Sequence, residues 1–119
     1  MSFLCLIFIS IYLIIGLNIT LVGGRGPFEG NILIDGIIPL CEEGFDMIDA
    51  SVICGQMNMS DVSYITRNSK FGNTSQGLGM SLSCFGNEAT ISECIRRENI
   101  DCGVEQGAGV SCSNMQNSK

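Results

Sequence analysis

Two adjacent glutamates, Glu42 and Glu43, follow directly on Cys41 in the stretch LCEEGFDMIDASVICGQM. Carboxylates are hard oxygen donors suited to Ca²⁺ or Mg²⁺. Four of the six basic residues, Arg67, Lys70, Arg96 and Arg97, offer charge to sulfate, phosphate or carboxylate groups, against the plain alternative of a solvated surface. Histidine is absent, which removes the side chain that most often moves protons near neutral pH. Serine and threonine are plentiful but stand in no nucleophile elbow or triad context. These residues point to a binder of charged groups and away from an enzyme.

Cysteine offers three further chemistries: metal binding, thiol redox and stapling. Cys41, Cys54, Cys84, Cys94, Cys102 and Cys112 are all too widely spaced for the close pairing that puts two sulfurs on one zinc ion. No C-x-x-C occurs, so the usual dithiol redox motif is missing. Disulfides remain. A small chain with few aromatic residues buries a limited core, and each bridge adds about 2–4 kcal/mol. Spacing alone leaves the connectivity open.

The compartment agrees. Residues 1–17 read as a secretory signal peptide, with an uncleaved anchor as the alternative, because the apolar run is short for a membrane span. Cys5 lies inside it, so removal leaves six of the seven cysteines. Three N-x-[ST] sequons, at Asn18, Asn58 and Asn73, fit export, and Asn58 and Asn73 are the better acceptors. The location expected is secreted or extracellular, or the cell surface if the leader is retained. The net charge of −6 excludes a nucleic-acid binder.

The 119 residues leave room for one domain, here 20–113, followed by a polar tail at 114–119. ITLVGG reads as a strand. NILIDGIIPLC reads as a hairpin turning at Asp35-Gly36, with Pro39 on an edge or irregular strand. Asp46 should cap a helix, with Asp49 three residues on. Met47, Ala50, Cys54 and Met57 make an apolar stripe widened by Ile53, with Ile48 and Val52 on another side. Residues 61–79 read as a long polar loop. GMSLSC is a strand, NEATISEC allows a helical turn or two, and GAGVSC is the last strand.

Taken in order, LVGGRGPFEG, CEEGFDMIDASVICGQM, Phe71-Gly72, LSCFGNEATISEC and DCGVEQGAGVSC resemble the scavenger receptor cysteine-rich domain, in its six-cysteine form. The resemblance implies an α+β, disulfide-stapled fold: a curved β-sheet cradling one α-helix. It implies the pairs Cys41–Cys102, Cys54–Cys112 and Cys84–Cys94. Phe28 and Met59 stand where other members carry a fourth bridge. It also implies a cation site, with Ca²⁺ or Mg²⁺ on Glu42 and Glu43 and a distant glutamate position that falls on Gln106, with Glu105 beside it. A second family site lacks its paired aspartates, replaced by Met80 and Ser81, although Asn87 is retained. The function implied is recognition of extracellular proteins, polyanions or microbial surface molecules. The alternatives are a non-binding structural or decoy fragment of a larger receptor, and a disulfide-rich secreted inhibitor or effector. Membrane contact enters only through an uncleaved leader. Neither the ligand nor the oligomeric state follows from the residues.

Overall fold

The computed structural model describes residues 16–73 and 78–113. Residues 1–15 of the expected leader, with Cys5, the Thr74-Ser75 part of the Asn73 sequon, and the polar tail lie outside the described residues.

β1 (Ile19–Gly23) and β2 (Glu29–Ile34) pair antiparallel, Leu21 opposite Ile32. β2 then turns into the short β3 (Ile38–Pro39). Asp35 and Gly36 both take positive φ, 54° and 78°, and Ile37 N–H donates to Ile34 O, which is the turn that an Asp-Gly pair favours. β3 holds only two residues and lies off the main strand path, a position that Pro39 tolerates because no ladder donor is missed there.

The helix α1 (Met47–Gln56) opens with a reciprocal capping box. Asp49 N–H donates to Asp46 Oδ1 at 2.9 Å, and Asp46 N–H donates back to Asp49 Oδ2 at 3.2 Å, satisfying two donors that a helix start otherwise leaves orphaned. The buried helix face is Ala50, Val52, Ile53 and Cys54. The stripe expected to begin at Met47 begins at Ala50 instead: Met47 and Ile48 are about half exposed. Phe45, just ahead of the cap, is buried and takes the place of Met47 in the core beside Ala50. These are the two positions of a hydrophobic staple.

The expected long loop at 61–79 contains a strand, β4 (Val62–Thr66), paired with the last strand β7 (Gly109–Cys112). Its β-branched and aromatic residues suit a ladder, but a bulge between Val62 and Tyr64 breaks their alternation. The main sheet runs β1-β2-β7-β4. Its inner face carries Ile32, Ile34, Val110 and Cys112 against α1. Its other face carries a buried polar row: Glu29, Asn31 and Ser111. β5 (Gly79–Ser83) and β6 (Ile95–Ile100) form a separate two-stranded sheet, joined through a single 3₁₀ turn at Ile91–Glu93. β6 is a strand that the sequence reading did not contain.

Three disulfides staple these parts. Cys41–Cys102 ties the end of β3 to the segment after β6. Cys54–Cys112 ties α1 to β7, and Cys84–Cys94 closes the loop around the 3₁₀ turn. The pairs coincide with those implied by the resemblance. The first needs Gly79 beside it: a Cβ there would lie 2.7 Å from Cys41 Sγ and 2.8 Å from Pro39 O.

Candidate functional site

Cys41–Cys102 has a second effect. Bonding these two residues brings their acidic neighbours, Glu42 and Asp101, to the rim of one cleft of about 330 Å³. Glu43, Gln106, Arg67 and Ile100 complete the wall. Backbone bonds fix both loops: Glu42 N–H donates to Gln106 O at 2.9 Å, and Cys41 N–H to Met80 O at 2.8 Å.

A strap at residues 67–69 holds the acidic loop from outside. The Arg67 guanidinium donates from Nη1 to Glu42 O at 2.9 Å and from Nη2 to Phe45 O at 2.8 Å. Asn68 N–H donates to Glu42 Oε1 at 2.6 Å. Ser69 donates to Val104 O and accepts from Gly107 N–H, both at 2.8 Å, fastening the opposite wall. The strap therefore clamps two loops that carry carboxylates of like charge.

The structure redistributes the residues marked in the sequence. Glu42 and Glu43 share the cleft, but Glu105 sits on a neighbouring surface with Gly103 and Val104. Asp101 supplies the third carboxylate instead. Its signal in the sequence is its place next to Cys102, which becomes readable once Cys102 is paired with Cys41. Arg67 belongs to the acidic cleft, where its guanidinium is spent on Glu42 O and Phe45 O. Arg96 and Arg97 stand exposed on β6, opposite Leu82 and Ser81. Adjacent strand residues project to opposite faces, so the two guanidiniums do not act as one fork. Lys70 is exposed in the turn after β4.

The donor set of the cleft, three carboxylates and the Gln106 amide, consists of hard oxygens and suits Ca²⁺ or Mg²⁺. Its arrangement is open: the oxygens of Glu42, Glu43 and Asp101 do not all lie within 4.8 Å of one another. Among the described residues, the one group of three candidate ligands that does close up is Cys84, Glu88 and Cys94. Both of its sulfurs are spent in a disulfide. Glu88 there accepts from Phe85 and Gly86 N–H at 2.8 Å, which holds its carboxyl below the ordinary range. At the second family site, the Met80 side chain is buried in the core and carries no oxygen, while Asn87 is exposed.

The other polar feature is Glu29. Its carboxylate is buried and accepts from Arg25 Nε at 2.9 Å, Arg25 Nη2 at 3.1 Å and Tyr64 Oη at 3.1 Å. The Arg25 side chain first, and then its backbone N–H, lower the Glu29 carboxyl to about 2. Sequence reading passed over both residues. All three sequon asparagines are exposed, and Asn58 takes φ 63° just past the helix.

Residues 22–113 match the scavenger receptor cysteine-rich domain. A scavenger receptor cysteine-rich domain superfamily protein of Patiria pectinifera is 31% identical over 81% of this chain and 9% of its own length. Human CD5 antigen-like is 28% identical over 85% of this chain and 31% of its own. Mouse lysyl oxidase homolog 3 is 31% identical, with 85% and 14% covered. The chain thus spans less than a third of each of these relatives. The third such domain of murine neurotrypsin superposes with a TM-score of 0.71 at 25% identity, covering 84% of this chain and 99% of that one. The domain of mouse MARCO, in a dimeric form, gives 0.58 at 21% identity, with 82% and 89% covered, a likeness of fold. From this match over most of its length, with the α+β fold and its bridges, the chain belongs to the scavenger receptor cysteine-rich domain family.

Proposed function

We propose that this chain is a scavenger-receptor-like binding module for extracellular ligands, and that the cleft beside Cys41–Cys102 is its main contact. Domains of this family are extracellular or cell-surface modules and in general bind rather than catalyse. The observation that carries the reading is the gathering of Glu42, Glu43 and Asp101 on one cleft by that disulfide. Glu43 and Asp101, with the Gln106 amide oxygen, are the groups that would hold a divalent cation. Glu42 already spends one oxygen on Asn68 N–H. A bound cation offsets the repulsion among these carboxylates and lets an acidic region meet an anionic ligand. Arg67 opposes it, since one positive charge already lines the cleft. The exposed Arg96 and Arg97, one on each face of β6, give separate salt-sensitive contacts for a polyanion.

Calorimetry with Ca²⁺ and Mg²⁺ tests the cation half. Binding should weaken about tenfold in Glu43→Gln and in Asp101→Asn, because charge count sets affinity in such sites. Glu105→Gln should leave it unchanged. No heat at millimolar cation would discard this half and leave recognition to the cleft's shape and to β6. Retention on a sulfated glycan that is insensitive to salt and to Arg96→Ala/Arg97→Ala would discard the other.

A further inference from the structure

Among the described residues, β1 and β4 end the main sheet and β6 lines an open side of the small one, while β3 is a two-residue strand carrying Pro39 and the other side of β5 is met at Met80 by Leu40. An open edge is a template for another strand, and proteins usually guard it with bulges, charges or proline. β4 is guarded by the bulge between Val62 and Tyr64. β6 is guarded twice, by a register shift opposite Gly79/Ser81 with Asn99 at φ 60°, and by Arg96, Arg97 and Glu98. β1 has neither device. Its register with β2 is regular for all five residues, and Ile-Thr-Leu-Val-Gly contains no charge and no proline. Thr20 and Val22 are exposed.

We propose that β1 is a self-association edge, pairing antiparallel with β1 of a second copy about a two-fold axis at Leu21. The register follows from the sequence of the strand. Thr20 meets the second copy's Val22 on the outer face, two β-branched residues that pack well across strands. No like charges meet along the pair. The flanks are complementary. Arg25, 83% exposed although its guanidinium also bonds Glu29, lies just beyond the C-terminal end of β1. The Asp35 carboxylate lies at its other end, held by Asn18 N–H at 2.9 Å. An antiparallel pair sets the Arg25 end of each copy against the Asp35 end of the other. A second copy is the occupant because this exchange of ends needs no partner of other composition. Five paired residues bury little area, so the association is weak, with Kd on the order of 10–100 μM. The Asn18 sequon overlaps the start of this edge, and a glycan there would hinder the pairing.

The test is sedimentation velocity on the chain made through a secretory pathway and freed of N-glycans. The expected result is reversible dimerisation, weakened at least about tenfold by Val22→Lys. Ile95→Lys, on the guarded β6 edge, should leave it unchanged, and both variants should retain the wild-type melting temperature. Asp35→Asn keeps a residue that tolerates positive φ and should weaken the dimer a few-fold. A chain that stays monomeric about tenfold above the expected Kd overturns the proposal. So does a dimer insensitive to Val22→Lys or broken by Ile95→Lys. Unchanged association in Asp35→Asn overturns the register.

Discussion

Asp49 and Glu29 are buried carboxylates with opposite titration behaviour. Burial first, opposed by the Cys84 and Asp46 N–H groups, raises the Asp49 carboxyl to about 6 from 3.8. Its contribution to stability is therefore present below about pH 3.8 and lost as pH rises through about 6. Glu29 is lowered to about 2 from 4.5, so its contribution is present above pH 4.5 and lost as pH falls toward 2. Melting temperature followed against pH should show Glu29→Gln flattening the acid limb below pH 4.5. Asp49→Asn should flatten the decline approaching pH 6. Thr66 gives a different test. Among the described residues, its hydroxyl is the one buried side-chain oxygen with no hydrogen-bond partner. Thr66→Val should stabilise by about 1 kcal/mol, because an unsatisfied buried polar group costs about that much or more. A loss in chemical denaturation would show that the hydroxyl has a partner. Single residues were legible where their role is local, as with Asp46 and Asp49. Asp101 and the placement of Arg67 were not, since both depend on contacts far apart in the chain.

At the level of elements, the segments with strong local rules were readable: the Asp35-Gly36 turn, the capped helix and the apolar strands. β4 and β6 were not. β4 sits in a polar stretch where a bulge spoils the alternation, and β6 is exposed along five of its six residues. Its pairing with β5 supplies the order that the pattern Ile-Arg-Arg-Glu-Asn-Ile does not announce. The helix is held at both ends by side chains. At its far end, Gln56 donates to Leu17 O and accepts from Ile91 N–H, both at 2.8 Å, while Leu17 N–H donates to Ser92 Oγ at 3.1 Å. Leu17 is thereby joined both to the end of the helix and to the 3₁₀ turn. Asp46→Ala should cost about 1 kcal/mol by removing the cap. Gln56→Ala leaves Ile91 N–H without its acceptor and should cost about 1–3 kcal/mol. Urea unfolding of both variants checks the order. A neutral Gln56→Ala would show that the joint at Leu17 contributes nothing.

For the molecule as a whole, the bridges differ in reach. Cys41–Cys102 and Cys54–Cys112 span 61 and 58 residues, whereas Cys84–Cys94 spans 10. Closing a longer loop restricts the unfolded chain more, about 4 kcal/mol for either long bridge and less for the short one. Replacing Cys54 and Cys112 by alanine should accordingly lower the melting temperature more than replacing Cys84 and Cys94. Equal shifts would mean that native packing, and not chain entropy, sets the effect. The cysteine spacing left this arrangement undetermined, and only the resemblance suggested it. The two long bridges also cross the same stretch of chain. Any peptide bond hydrolysed between Cys54 and Cys84 leaves an N-terminal piece bearing Cys41 and Cys54, still joined twice to a C-terminal piece bearing Cys102 and Cys112. A protease that nicks this module there would release nothing. The clipped protein would run as an intact species until a reductant separates it, and it would persist as a two-chain molecule.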